Sequence, residues 1–334
     1  MSTRARGQVV VITGASSGVG RAIARAFGQE QARLALIARN EEALQHAAEE
    51  VRAAGGEARV FPIDVAEAEA VQAVADAVVD TWGHIDHWVN CAMVSVFSPV
   101  KEMTPDEYLR VTKVTYLGYV YGTLAALKHM LPRDEGHIIQ IGSALTYRSI
   151  PLQSAYCAGK AAIRGFTDSL RSELIHDRSR VKISMIQLPA VNTPQFDVVR
   201  TRLPNHPQPV PPIYQPEVIA RAVVYVSKHP TRELWLGASA WKAILAQRIA
   251  PRFADWYLAR TNYRAQQTDE PLPKGRPDNL YRPVPGDRGA HGDFDDRSRS
   301  HSPLLWMRTH RGWMAAGVAA TAALSWRVAN GRSA

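Results

Sequence analysis

Tyr156 and Lys160 stand four residues apart in a helix-periodic stretch, which would set a phenol and an ammonium on one face about one turn apart. A phenol that ordinarily titrates near ~10 is a poor acid at neutral pH. An adjacent ammonium favours the phenolate and brings the group into range for proton transfer to a developing alkoxide. Ser143, just past an apolar run, adds a hydroxyl able to orient and polarise a carbonyl. A Tyr four before a Lys carries little information alone, so its weight comes from where the chain places it.

The run Thr13-Gly-Ala-Ser-Ser-Gly-Val-Gly20 follows a first strand pattern and opens the helical pattern Arg21–Gln29. Gly14, Gly18 and Gly20 remove side chains that would hold a pyrophosphate away. The amides of a turn through Ser16, Ser17 and Val19, with the helix dipole, then stabilise the bound anion. Glycines also serve plain tight turns, but a strand before and a helix after favour a dinucleotide. Where a NAD site would place an acid to grip the ribose, the chain has Ala38-Arg39. A guanidinium can pair with the extra phosphate that an acid would repel, which favours NADP(H) over NAD(H). A solvated strand-end Arg39 is the plainer alternative. Asp64 and Val65 could bracket the adenine, or Asp64 could cap the next helix. Asn90 and Ala92 close the fourth strand at the carboxyl edge, where the crevice of such folds lies.

These positions are set by an alternation. The strand patterns are Val9–Thr13, Arg33–Ala38, Ala58–Pro62, His87–Asn90, His137–Ile141, Lys182–Leu188 and Glu233–Leu236. Helical patterns between them include Glu41–Ala54, Glu67–Trp82, Pro105–Met130, Ser154–Asp177 and Pro216–Lys228. The expected architecture is α/β, a doubly wound Rossmann-type parallel sheet in one catalytic domain, residues 1–240, with a C-terminal extension. A proline-rich stretch, residues 190–215, reads as a substrate lid and residues 241–267 as a helical extension. Residues 268–303, rich in Pro, Gly, Asp and Arg, read as a disordered linker. Residues 304–334 form an Ala/Trp/Arg tail whose uncharged run Gly312–Trp326 is 15 residues, short of the roughly 20 of an untilted span. Trp at both ends and flanking arginines suit a membrane-interface helix, and an Ala-rich helix packed on the domain or a dimer partner remains the alternative.

In order and spacing, the turn Thr13–Gly20, Asn90-Cys-Ala92, Ser143 and Tyr156-Cys-Ala-Gly-Lys160 resemble the short-chain dehydrogenase/reductase family over residues 7–240. The resemblance implies that Tyr156 is the catalytic acid/base and Ser143 binds the substrate oxygen. Lys160 would hold the nicotinamide ribose and tune Tyr156, and Thr193 would contact the carboxamide side of the cofactor. It also implies a homodimer or homotetramer, with Pro105–Met130 and Ser154–Asp177 meeting their symmetry mates. The chain departs from the family at Thr115, where an Asn usually holds a proton-relay water, at Met93 and at Ala190, where glycines are usual.

Composition narrows the rest. With 46% hydrophobic and 21% charged residues, a chain disordered throughout is excluded. Two cysteines, Cys91 and Cys157, exclude a disulfide framework or a thiolate metal cluster, and no metal is implied. Of the net charge of +9, residues 230–334 carry +7, spread among Pro, Gly and Asp, so no specific nucleic-acid partner is expected. The apolar segment Val9–Ile12 is too short for a signal-peptide core, so a cytoplasmic protein is expected, with peripheral membrane contact through the tail as an open option. The resulting expectation is an NADP(H)-dependent oxidoreductase of a carbonyl or secondary alcohol, its pocket completed by Phe97, Leu145, Tyr147, Phe196 and Val198. The rivals are a nucleotide-binding scaffold with weak catalysis, a membrane-tethered reductase of lipophilic ketones, and a basic tail module carrying the reductase as passenger.

Overall fold

Seven short runs become the strands of one sheet: the central ones are β-branched and apolar and buried on both faces, as a covered parallel sheet requires, while the edge strands are partly exposed. The seven are β1 (Val9–Thr13), β2 (Arg33–Ala38), β3 (Glu57–Pro62), β4 (His87–Asn90), β5 (His137–Ile141), β6 (Lys182–Gln187) and β7 (Glu233–Trp235). The computed structural model describes residues 7–310, apart from the side chains of residues 238–243. The strands pair in parallel in the order β7-β6-β5-β4-β1-β2-β3. Alternate residues of β1 divide between two cores: Val10 and Ile12 face one, Val9 and Val11 the other. Helices α1 (Gly18–Gln29), α2 (Glu41–Ala53) and Pro216–Lys228 cover the first face. Helices α3 (Ala68–Trp82), α4 (Pro105–Thr112), α5 (Gly118–Met130) and α6 (Ser154–His176) cover the second. Strand order reverses between β1 and β4, and the crevice beyond their carboxyl ends is where such sheets take ligands.

The helix expected over Pro105–Met130 is interrupted. Thr104 and Glu107 close a capping box with Pro105 in the first turn, and α4 then gives way to a π-helical turn, Lys113–Leu117, before α5. In that turn the Thr115 hydroxyl donates to Val94 O at 2.8 Å and accepts from Val94 N at 3.1 Å, which ties the helix to the loop after β4.

Residues 268–303 are held against the domain rather than forming a disordered linker. Their polar backbone finds fixed donors, and a few apolar side chains find pockets. Gln267–Pro271 pairs with Asn205–Pro207 of the expected lid, and Ser298–Arg299 pairs with Ile213–Tyr214. Leu280 is fully buried with Val65, Val111 and Val114, while Phe294 packs edge-on against Phe196 at 5.8 Å. Composition hides this because one leucine and one phenylalanine do the anchoring. The expected extension 241–267 is largely helical, Ala238–Ile249 followed by Pro251–Ala265. The tail run Gly312–Trp326 lies outside the described residues. Among those described, no helix is long and apolar enough to cross a membrane.

Helix α5 approaches β4 at Gly122, where a Cβ would stand 2.3 Å from Asn90 Oδ1 and 2.6 Å from Trp88 Nε1. These atoms belong to a buried network: Trp88 Nε1 donates to Asn90 Oδ1, and Asn90 Nδ2 donates to Gln140 Oε1 and Thr123 Oγ1. Gly122→Ala should therefore lower unfolding free energy by about 1–3 kcal/mol through overpacking against polar atoms that cannot retreat. Urea denaturation measures this, and an unchanged midpoint would show that the helix shifts freely.

Candidate active site

The crevice is a cleft of about 470 Å³ running from the glycine turn to the expected lid. At one end the turn is shaped by contact. Gly14 adopts φ +73°, and a Cβ there would lie 2.8 Å from Ala92 Cα; Gly18 adopts φ +57° beneath Thr193. The Thr13 hydroxyl locks the strand ends together, accepting from Cys91 N at 2.9 Å and Ala92 N at 3.1 Å. Ser16, Ser17, Gly18, Val19 and Gly20 all line the cleft, as do Ala92 and Thr193. The N–H groups of Val19 and Gly20, at the start of α1, make no hydrogen bond among the described residues. This is a cradle for an anion, in which added Cβ atoms would collide.

Arg39 and Asp64 also line the cleft. Asp64 does not cap α3, whose N-cap is Glu67; one of its oxygens accepts from Ala66 N and the other pairs with Arg110. Arg39 is not a solvated strand end: its guanidinium donates to the carbonyl oxygens of Asn279 and Leu280. Burial pushes its pKa down, Asp64 only partly offsetting this. A buried cation held by neutral carbonyls is a site that an anion would stabilise.

At the floor, Tyr156, Lys160 and Ser143 converge. Helix α6 brings Lys160 Nζ to 5.7 Å from the Tyr156 ring centre, while Ser143, at the end of β5, is close enough to stabilise the phenolate by hydrogen bonding. The Ser143 hydroxyl also accepts from Leu145 N at 3.1 Å. The expectation that Lys160 brings Tyr156 toward neutral pH is corrected here: burial pushes Tyr156 up, Ser143 offsets it in part, and the same burial pushes Lys160 down to about 7. Lys160 Nζ instead donates to Ile141 O at 2.7 Å and to the Tyr119 hydroxyl at 2.9 Å.

Three sequence-expected residues stand elsewhere. Asn90 is fully buried, its amide spent on Trp88, Gln140 and Thr123, and it does not line the cleft. Thr115 does not line it either, because Val94 engages its hydroxyl in both directions; its methyl group faces Gly159 on α6. Tyr147 turns away, bonded to Glu233 and set against Trp235 at 4.6 Å. The remaining expected pocket residues, Leu145, Phe97, Phe196 and Val198, line the cleft, as do Met93 and Ala190. Tyr119 is the polar residue that sequence reasoning missed. Its one signal is its position four after Thr115, one helical turn along the face that meets α6.

A family model described as short chain dehydrogenase matches residues 8–203. The chain is 34% identical over 298 residues to the uncharacterized oxidoreductase YxnA of Bacillus subtilis, covering 88% of this chain and 83% of that protein. A match of that length necessarily reaches past residue 276. It is also 31% identical over 230 residues to a fatty acyl-CoA reductase of Acinetobacter baylyi, covering 68% of this chain and 75% of that protein. Among solved structures, a metagenomic short-chain oxidoreductase in complex with NADP superposes with TM-score 0.59 at 30% identity, over 70% of this chain and 97% of that one. An alcohol dehydrogenase from the archaeon Thermococcus sibiricus, complexed with 5-hydroxy-NADP, superposes with TM-score 0.60 at 28% identity, over 69% and 96%.

The Lys160 environment has a measurable consequence. Folding lowers its pKa from 10.5 to about 7, so the unfolded chain binds the extra proton throughout that window. Stability from this group is present above 10.5 and is lost as pH falls to about 7. Urea unfolding of the protein without added ligand should therefore show wild type gaining stability relative to Lys160→Met between pH 7 and pH 9.5. Parallel pH profiles for the two proteins would contradict it.

Proposed function

The chain belongs to the short chain dehydrogenase family, and on that premise we propose that it is an NADP(H)-dependent oxidoreductase acting on a carbonyl or secondary alcohol. The observation that carries the proposal is the convergence of Tyr156, Lys160 and Ser143 at one wall of a cleft whose far end is a glycine cradle flanked by the buried cation of Arg39.

When bound, the nicotinamide would supply or accept the hydride. The chain's own residues do the rest. Val19 and Gly20 would hold the diphosphate through their free N–H groups, with the small side chains of Ser16 and Ser17. Gly14 and Gly18, whose N–H groups already donate to Ile37 O and Gly289 O, would leave room for it, and Arg39 would pair with the 2′-phosphate. Asp64 and Val65 would flank the adenine, with Thr193 near the carboxamide. Ser143 would donate a hydrogen bond to the substrate oxygen, and Tyr156 would give that oxygen its proton in reduction or take it in oxidation. Burial keeps Tyr156 protonated in the unliganded protein and leaves it a weak acid, so its proton transfer would depend on the charge developing on the substrate oxygen and on Lys160 to favour the phenolate. Lys160 would hold the ribose and make good the loss of the phenolic proton. Phe97, Leu145, Ile150, Phe196 and Leu258 give the substrate end a largely apolar lining, with Arg148, Gln153, Gln208 and Asn262 as its polar groups, which favours an aldehyde or ketone with a lipophilic body. The fatty acyl-CoA reductase among the relatives is consistent with that choice.

The test is NADPH oxidation followed by absorbance against short, long-chain and aromatic aldehydes and ketones. Tyr156→Phe should lower kcat by about 10²–10⁴-fold with NADPH affinity unchanged. Turnover insensitive to the substitution, or NADPH binding without turnover of any carbonyl, would favour a nucleotide-binding scaffold instead.

A further inference from the structure

The segment from Asp278 to Ala290 crosses the phosphate and adenosine end of the cleft, and we propose that it is a fourth wall of the dinucleotide site, with Arg288 as an additional ligand for a cofactor phosphate. This rests on the reading of the cleft as an NADP(H) site.

The segment is tied to several residues around the phosphate and adenosine end of the cleft. Gly18 N in the glycine turn donates to Gly289 O at 3.0 Å. Asp287 pairs with Arg21 of α1, itself held by Glu50. Asn40 Nδ2 donates to Val284 O at 3.0 Å and to Gly286 O at 3.1 Å. Arg110, the partner of Asp64, donates through Nε to Leu280 O at 2.9 Å, and Arg39 reaches the carbonyls of Asn279 and Leu280. Arg21 and Arg110 thus have carboxylate partners, Glu50 and Asp287 for the first and Asp64 for the second, whereas the strap gives Arg39 neutral carbonyls only and leaves it without a close carboxylate.

The strap roofs the cleft rather than filling it. Asn279, Pro283, Val284, Gly286 and Arg288 line the open volume, whereas Leu280 points away into the core beside Val111 and Val114. Arg288 is exposed on the cleft rim and makes no hydrogen bond or close ion pair among the described residues. Beside the free N–H groups of Val19 and Gly20, an unpaired guanidinium suits a phosphate ester. Leu280 anchors the strap over this end of the cleft, so loosening that anchor should speed the release of a cofactor beneath it.

Fluorescence titration and displacement of NADPH from the full-length protein test this. Leu280→Ala should speed NADPH release by about tenfold or more, and Arg288→Ala, on the exposed rim, should weaken NADPH binding by about tenfold with an unchanged melting temperature. NADPH should also slow tryptic cleavage after Arg288. Release rates and affinities equal to wild type in both variants would overturn the proposal. So would tighter NADPH binding by Leu280→Ala, since that would mark the strap as a competitor for the site. Wild-type protein that binds no NADPH would instead remove the reading of the cleft, and this inference with it.

Discussion

An ammonium taken out of water must find other oxygens, and the way Lys160 finds them organises the catalytic end of the molecule. Its partners, Ile141 O at the end of β5 and the Tyr119 hydroxyl on α5, require that helix to lie close on the sheet. Gly122 permits the approach, and the Tyr119 hydroxyl completes the triangle by donating to Ile141 O at 3.0 Å. The π-helical turn before α5 sets the phase of that helix, and Thr115 pins the turn to Val94. The burial that holds Lys160 near neutrality also keeps the Tyr156 proton in place.

The sheet was legible because its signal is local: buried parallel strands read as apolar runs, and all seven strands share at least one boundary with the run that marks them. The glycine turn and the Tyr156/Lys160 spacing were legible for the same reason. Asn90 was read as a cofactor residue from its place at a strand's carboxyl end. Its side chain points instead between β4 and α5, a choice made by Trp88 and Gln140, which no spacing reveals. Tyr147 likewise depended on Glu233 and Trp235, far along the chain. Residues 268–303 were the hardest to read, since polar composition predicts solvation. Here the polar groups meet partners on the cleft rim that are more than two hundred residues distant.

The two ends of the cleft differ in what they lack. The substrate end joins hydrocarbon from Phe97, Leu145, Ile150 and Leu258 to the polar side chains of Arg148, Gln153, Gln208 and Asn262, beside Ser143 and Tyr156. The other end holds the cation of Arg39, Arg288 at the rim and free N–H groups at the start of α1; its carboxylates are already engaged, Asp64 by Arg110 and Asp287 by Arg21, and Asp197 acts on Arg288 only through space. A ligand with phosphates at one end and a planar reactive group at the other satisfies both.

Calorimetric titration of the wild-type protein with NADPH and with NADH measures this complementarity most directly. Binding of NADPH tighter than NADH by about tenfold or more, with the preference lost or reversed in Arg39→Asp, is the expected result. Equal affinities for the two in the wild type, or no binding of either, would contradict it.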